Sequence, residues 1–208
     1  MSLSDDPTSD KPQAVIDQLD SRWLEMSAGT EGFLTGPRWT GLDCHQIAWG
    51  DMELAGHVNN VVYNRFAESS RINWFLKFAD AVPVEHKQAW VDLLTPRGIG
   101  LILKSIRTDY KMPLIFPDQI TVLHKLVEPP TSSSTDIFME AVIISHAHQR
   151  PAARCFEDIV VYDYKRGGKA NLPSFMVDEL RAAFQLQEKT RNSILAEVAE
   201  LQKSISGF

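Results

Sequence analysis

A long apolar segment near the middle of the chain restricts the fold more than any other feature. Eleven of the nineteen residues from position 61 to position 79 are apolar or aromatic, and they lie on more than one side of a helix. Other elements must cover a helix of this kind, because its apolar surface is too wide for a surface helix. Asn59 or Asn60 can cap its start with a side-chain oxygen, and Pro83 follows its expected end. The sequence therefore predicts a largely buried helix at residues 60–79.

The second half of the chain has the pattern of an antiparallel sheet. Alternating apolar residues, rich in β-branched and aromatic types, recur between turn signals. Because the connections are short, the strands should pair as antiparallel hairpins. The predicted strands are residues 99–111, 119–127, 137–147 and 152–164, with a further short strand at 43–49. One long helix covered by one sheet predicts an α+β domain.

Both ends of the chain should add extensions to this domain. Residues 1–13 are rich in Ser, Asp and Pro, which indicates disorder, and a short helix at 14–26 should pack on the domain. Ser174 should cap a C-terminal helix that reaches about residue 204, with an apolar seam broken at Gln187 and Arg191. The predicted division is an N-terminal extension at 1–40, a domain at 41–168 and a helical extension at 169–208. The role of the last helix stays open between a lid, an oligomerisation arm and plain surface.

Charge and cysteine content exclude several classes of function. The chain has 27 acidic and 21 basic residues, which gives a net charge of −6. This composition does not predict the basic surface that nucleic-acid binding requires. No apolar run reaches the roughly 18 residues of a membrane span. The first 32 residues have seven acidic and two basic side chains, unlike a secretory signal or a transit peptide. We expect a cytoplasmic protein, with mitochondria left open, and two buried thiols rather than a disulfide.

The residues from Trp49 to Tyr63 are the densest candidate for chemistry. Asp51 and Glu53 lie two residues apart and precede a glycine, an imidazole and two carboxamides at the predicted helix start. The start of a buried helix has N–H groups without partners and a positive dipole end, which can stabilise an oxyanion. A carboxylate held nearby can activate water or attack a carbonyl. The same residues also suit a structural interpretation, in which the polar side chains cap the helix and the glycine makes a turn.

The same run resembles the signature of the 4-hydroxybenzoyl-CoA thioesterase-like group of hotdog-fold proteins. The resemblance covers about residues 42–164, and it implies an antiparallel sheet wrapped around one long central helix. It also implies hydrolysis of an acyl thioester, usually an acyl-CoA, without a metal or redox cofactor. A homodimer or homotetramer with the pocket at a subunit interface is implied as well. The matching residues are Gly50-Asp51-Met52-Glu53, Gly56, His57-Val58-Asn59-Asn60 and Tyr63.

The resemblance implies roles for the residues of the motif. The carboxylate of the family, a nucleophile or a general base, falls on Glu53, where Asp is the usual residue. Asp51 is the second candidate for that role. The backbone N–H of Asn60 falls at the position that polarises the carbonyl. The candidates for substrate binding, with loop hydrogen bonding or core packing as structural alternatives, are His57, Val58, Asn59 and Tyr63.

Other signals indicate structure rather than a further site. Glu68 lies three residues from both Arg65 and Arg71, which predicts ion pairs on the helix surface. His146 and His148 share one strand face but lack a third ligand in register, so no metal site is predicted. The chain has no G-x-S-x-G motif, which disfavours a serine route to thioester hydrolysis.

Two other functions remain open from the sequence. A non-catalytic acyl-binding or assembly protein is suggested by Glu at a position where Asp is usual and by the long extensions. A dehydratase-type hotdog enzyme would pair a histidine with a carboxylate across the pocket, and the position of His57 alone does not establish that arrangement.

Overall fold

The computed structural model describes residues 19–206, with side chains up to residue 203. The predicted disorder at residues 1–13 and the first part of the predicted helix at 14–26 lie outside the described residues. No helix within the described range is both long and apolar enough to cross a membrane. The elements in chain order are α1 (Trp23–Gly29), β1 (Thr40–Gln46), a 3₁₀ turn (Trp49–Asp51), α2 (Asn60–Ala81), α3 (Val84–Asp92), β2 (Ile99–Tyr110), β3 (Gln119–Leu126), β4 (Asp136–Ser145), β5 (Arg150–Asp163), β6 (Gly168–Lys169) and α4 (Ser174–Ser206).

The strands form one antiparallel sheet that covers α2. Their order across the sheet is β1-β3-β4-β5-β2, and β6 adds to β5. Ten side chains of α2 are buried, in agreement with the width of its apolar surface in the sequence. The predicted α+β hotdog architecture, an antiparallel sheet around one long central helix, is thus confirmed.

A buried polar layer separates two of the apolar clusters along α2. Ser70, Arg71, His124 and Glu157 are each less than 10% exposed. The Arg71 guanidinium donates to the Glu157 carboxylate, while His124 lies 3.2 Å from the Ser70 hydroxyl and 3.4 Å from the Glu157 carboxylate. Each charge thereby has a partner, which offsets the cost of removing it from water. The predicted surface pairing of Glu68 with Arg71 is wrong, because Arg71 points into the core and not along the helix surface.

The N-terminal extension covers part of the outer face of the sheet, whereas the first half of α4 packs in the same apolar cluster as α2. Ala28 and Phe33 pack on a cluster of outward-facing side chains from β3 and β4, namely Leu123, Val142 and Ile144. On its other side α1 contacts α4, where Arg22 pairs with Glu197. The prediction that the N-terminal helix packs on the domain is confirmed for its described part.

Gln187, which breaks the apolar seam of α4 in the sequence, is buried against the edge of β3. The β1 partners of β3 end at Leu123, so the outer edge of Leu126 has no strand beside it. The Gln187 carboxamide oxygen accepts from the Leu126 N–H at 3.0 Å, and its nitrogen donates to the Leu126 carbonyl at 3.1 Å. One side chain therefore replaces a missing strand, and α4 closes the sheet edge.

Four elements differ from the sequence-based expectation: β6 was not predicted, α1 ends at Gly29 and not at residue 26, and β1 and α3 differ as follows. The first strand runs from Thr40 to Gln46, so Trp49 lies in the 3₁₀ turn and not in the strand. The helix α3 was not predicted; its Trp90 is buried and stacks on Phe78 with ring centroids 5.0 Å apart. A nine-residue helix with one fully buried side chain gives too little periodicity to be recognised.

The close approach of β1 to α2 makes Gly41 intolerant of a side chain. A Cβ at Gly41 would lie 2.1 Å from the Ser70 hydroxyl oxygen and 2.3 Å from the Ser70 carbonyl oxygen. We expect Gly41→Ala to lower the free energy of unfolding by about 2 kcal/mol or more, because the backbone must move. Gly98→Ala is the matched control, since nothing lies within 4 Å of its Cβ. Equal urea midpoints for the two variants would contradict this packing.

The edge contact of Gln187 gives a second prediction. Gln187→Leu keeps the seam of α4 apolar but leaves the N–H and the carbonyl of Leu126 without partners. Each buried group without a partner lowers the stability of the fold by about 1–3 kcal/mol. We expect a loss of about 2 kcal/mol or more in the free energy of unfolding, measured by denaturant titration. Gln185→Leu, two residues earlier on the exposed side of α4, should change stability little. A destabilisation of the same size in both variants would show that the edge contact is unimportant.

Candidate active site

The 3₁₀ turn after β1 is fixed by Asp51. Its carboxylate accepts from the Ala48 N–H at 2.9 Å and from the Arg65 guanidinium, and its backbone oxygen accepts from the Asn59 N–H at 2.9 Å. Asp51 is only 7% exposed. Arg65 therefore pairs with Asp51, which corrects the predicted pairing with Glu68. Both carboxylate oxygens of Asp51 serve to hold the turn against the start of α2.

A tight hairpin places Glu53 beside His57. Met52 and Val58 form its β-bridge, the Glu53 N–H donates to the His57 carbonyl at 2.9 Å, and Gly56 closes the loop at a φ of +79°. The Glu53 carboxylate oxygen Oε1 lies 3.5 Å from His57 Nδ1, and each of these side chains is 32% exposed. Glu53 is therefore a carboxylate that solvent can reach, in contrast to Asp51.

The start of α2 offers a hydrogen-bond donor. The Asn59 side chain accepts from the Val61 N–H at 3.1 Å, which caps the helix as predicted. The Val62 N–H donates to the Asn59 carbonyl at 2.9 Å. The Asn60 N–H has no acceptor among residues 19–206, and Asn60 is exposed. The positive end of the helix dipole lies at the same place, so it would add to the stabilisation of an anion by this donor.

Val58 and Tyr63 form the wall behind the helix start. Both are buried, and both form a hydrogen bond with the backbone of Leu114. The Val58 N–H donates to the Leu114 carbonyl at 2.8 Å, and the Leu114 N–H donates to the Tyr63 hydroxyl at 2.8 Å. Burial raises the pKa of Tyr63 above its usual value, so the phenol stays protonated. Tyr110 packs edge-on against Tyr63 and donates to the Asn60 carbonyl at 3.1 Å.

The cysteines and histidines elsewhere have structural contacts. Cys155 is buried, and burial raises the pKa of its thiol to about 11, so it is not a nucleophile at neutral pH. Cys44 is exposed, which corrects the expectation that both thiols are buried. His146 lies 2.7 Å from the Thr121 hydroxyl and packs edge-on against Trp23.

Six exposed apolar side chains lie on the segments that adjoin the helix start, and they were not identified from the sequence; we call them the collar. Trp49 packs edge-on against Phe116, and the Phe116 N–H contacts the Met52 sulfur at 3.4 Å. Hydropathy alone does not reveal such a collar, because the strands and α2 contain many similar residues. Its members, all more than 40% exposed, are Trp49, Leu54, Val61, Tyr110, Ile115 and Phe116.

Solved structures with this fold include several thioesterases. A thioesterase from Thermus thermophilus, solved with coenzyme A and zinc, has a TM-score of 0.55 at 20% identity over 73% of this chain and 98% of its own. A putative thioesterase from Pseudomonas aeruginosa has a TM-score of 0.51 at 21% identity, covering 67% and 93%. A DHNA-CoA thioesterase from Staphylococcus aureus has a TM-score of 0.51 at 11% identity, covering 71% and 90%. At these identities the structures show a shared fold.

The sequence itself identifies the family. No curated protein matches the chain significantly. The family model described as the thioesterase-like superfamily matches residues 47–184, which is more than half of the chain. The matched range includes the turn, the hairpin, α2, the sheet from β2 to β6 and the first part of α4. The chain thus belongs to the thioesterase-like superfamily.

Proposed function

We propose that the protein hydrolyses an acyl-CoA to the free acid and coenzyme A. The observation that carries this proposal is the N–H of Asn60, which lacks a partner in the described residues and lies at the same helix start as a solvent-accessible carboxylate, Glu53. Two structures with the same fold, the Thermus thioesterase with coenzyme A and the DHNA-CoA thioesterase, support a coenzyme A thioester as the substrate class.

Glu53 is the proposed catalytic carboxylate, and Asp51 holds the turn. The carboxylate of Asp51 is occupied by the Ala48 N–H and by Arg65, so releasing it for chemistry would leave a guanidinium without its partner. Glu53 has one close side-chain contact, His57 at 3.5 Å, and an exposed side. The two acidic residues of the motif thus have different environments, which supports different roles.

In the proposed reaction Glu53 acts as a general base. Its carboxylate takes a proton from a water molecule, and the water oxygen forms a bond to the thioester carbonyl carbon. The carbonyl oxygen becomes an oxyanion, which the Asn60 N–H and the helix dipole stabilise. The oxyanion then re-forms the carbonyl of the free acid as the carbon–sulfur bond breaks, and Glu53 returns its proton to the sulfur, so that coenzyme A leaves as the thiol. Neither a metal nor a redox cofactor is needed for these steps.

The four candidates for substrate binding differ in whether their side chains are accessible to a substrate. They are His57, Val58, Asn59 and Tyr63. His57 and Asn59 are half-buried next to Glu53 and Asn60, so a part of each side chain is accessible to the thioester. Val58 and Tyr63 are buried, so we assign them to the wall that supports the helix start. A dehydratase mechanism is disfavoured, because His57 lies on the same hairpin as Glu53 and not across a pocket.

We propose that a second copy of the chain binds to the collar and buries it. Six large apolar side chains on the segments that adjoin the helix start leave much apolar surface in water, which is typical of an interaction site. The acyl group would then lie between the collar and the partner subunit. We therefore propose a homodimer whose interface completes the pocket, and a homotetramer would be an assembly of such dimers.

Replacing the two carboxylates separately tests the assignment. Glu53→Gln should lower kcat by about a hundredfold or more, since it removes a general base without changing shape. Asp51→Asn should chiefly lower the melting temperature, because Arg65 loses its partner. Release of coenzyme A across a series of acyl chain lengths, followed with a thiol reagent, gives the rates. Full activity of Glu53→Gln would refute the assignment, and binding of acyl-CoA without any release by the unmodified protein would favour an acyl-binding protein.

Substitution in the collar tests the proposed homodimer. Leu54→Glu puts a charge at the most exposed apolar side chain of the collar, so we expect a shift from dimer to monomer in light scattering and a loss of thioesterase activity. Val84→Glu is the matched control, since Val84 is 87% exposed at the start of α3, outside the collar. A monomeric unmodified protein, or equal dimerisation of both variants, would contradict the proposed interface.

A further inference from the structure

The first turns of α2 lie beside β2, the strand at one edge of the sheet, and two side chains of β2 bond to them. The Tyr110 hydroxyl donates to the Asn60 carbonyl at 3.1 Å, and the Thr108 hydroxyl donates to the Asn64 side-chain oxygen Oδ1 at 2.6 Å. Thr108 and Tyr110 share one face of the strand, because they are two residues apart. Asn60 and Asn64 are neighbours on α2, because they are four residues apart. The strand therefore contacts both asparagines along one side of the helix.

The hydrogen bonds of Thr108 determine how the Asn64 carboxamide is oriented. A distance of 2.6 Å fits an O–H···O bond and is shorter than the usual N–H···O bond, so the carboxamide oxygen faces Thr108. The hydroxyl has only one hydrogen, so its oxygen is left to accept from the Cys155 thiol, whose sulfur lies 3.5 Å away. Burial raises the pKa of this thiol to about 11, which keeps its S–H donor at neutral pH. The donors thus run in one direction, from Cys155 through Thr108 to Asn64.

This orientation leaves the Asn64 amide nitrogen, Nδ2, as a donor without a partner. Nδ2 has no acceptor among the residues that the structure describes, and Asn64 is only half-buried. Side chains on a helix lean toward its start, so the carboxamide lies over the turn that contains Asn60. Four residues correspond to about 6 Å along a helix. A free side-chain donor therefore lies within about one turn of the free backbone donor at Asn60.

The neighbours of Asn64 belong to the collar. Val61 is three residues earlier on the same side of α2, and Tyr110 is two residues from Thr108 on β2; both are exposed. An acyl group that lies on the collar, with its thioester carbonyl at Asn60, would pass the Asn64 amide. An alkyl chain would cover this amide without offering an acceptor, whereas an oxygen substituent would pair with it. A site with such a donor therefore favours the substrate that has the oxygen.

We propose that Asn64 makes the site specific for an acyl group with a hydroxyl or carbonyl oxygen near the thioester. The Asn64 amide donates to this oxygen, and Thr108 is the positioning residue that holds the amide in the donating orientation. The inference rests on the proposed function, because it takes the thioester carbonyl to lie at the Asn60 N–H. It names the class of acyl group, which the motif at the helix start does not specify.

The ratio of kcat/KM between substituted and plain acyl groups tests this role. The substrates are straight-chain acyl-CoAs and their 3-hydroxy and 4-hydroxy derivatives of the same chain length. The unmodified protein should prefer one of the hydroxylated substrates by about threefold to tenfold, which is the effect of one hydrogen bond. Asn64→Leu should bring the ratio to about one. Ser69→Leu, at an exposed position of α2, is the control and should keep the ratio of the unmodified protein.

Two kinds of variant separate the amide from the packing around it. Asn64→Asp keeps an acceptor for Thr108 but cannot donate, so it should also lose the preference and covers the case that Asn64→Leu folds poorly. Thr108→Val keeps the shape of the side chain without its hydroxyl, so the carboxamide can turn and the ratio should fall. Thr108→Ser keeps the hydroxyl and should keep the ratio. An unchanged ratio in Asn64→Leu, or an equal fall in Thr108→Val and Thr108→Ser, would overturn the inference.

Binding gives a measurement that does not depend on turnover. In Glu53→Gln, calorimetry should show the same preference in Kd for the hydroxylated acyl-CoA, and adding Asn64→Leu should abolish it. An equal weakening for both substrates would place the acceptor in the pantetheine arm and overturn the assignment to the acyl group. The two proposals fail differently. Full activity of Glu53→Gln would refute the proposed function, whereas normal hydrolysis by the unmodified protein with no preference between the substrates would refute only the role of Asn64.

Discussion

The burial of α2 is the constraint on which the rest of the structure depends. A helix covered along most of its length can expose its free N–H groups only at an end, and here the start of α2 meets solvent while its middle lies under the sheet. The site is therefore formed where the fold has to leave donors unsatisfied. Asp51 and Arg65 fix the preceding turn at this point, and Tyr110 fixes the Asn60 carbonyl. The geometry of the candidate site follows from the way in which the helix enters the core.

Burying this helix requires polar groups to be satisfied inside. Arg71 and Ser70 face the sheet in the middle of α2, and the sheet provides Glu157 and His124 in return. Replacing one member alone would leave a buried charge or dipole without a partner, which costs more than the complete layer contributes. A layer of this kind also fixes the register of α2 on the sheet, because a shift of the helix would separate the pairs. The position of Asn60 relative to Glu53 depends on that register.

The sequence predicted what local patterns determine and missed what long-range contacts determine. Asn59 as a cap, the start of α4 at Ser174 and the four main strands all follow from residues close in the chain. The partners of Arg65 and Arg71 lie 14 and 86 residues away, so spacing along a helix suggested Glu68 instead. Gln187 looked like a defect in an apolar seam, since its partner, the edge of Leu126, exists only after the sheet has formed. Within the candidate site, the motif identified the hairpin residues but could not give their environments.

The different environments of Asp51 and Glu53 show how one short motif can use one carboxylate to hold a turn and leave the other accessible to solvent. Alternate residues on an extended segment would point the same way, but the 3₁₀ turn ends at Asp51 and the hairpin starts at Met52, so the two carboxylates face different surroundings. Asp51 is neutralised by Arg65 and is nearly out of contact with water. Its charge therefore adds little repulsion at Glu53, and the turn that it holds keeps Glu53 beside the helix start. A single acidic residue could not both fix the turn and remain available to a substrate, which gives a physical reason for the presence of two.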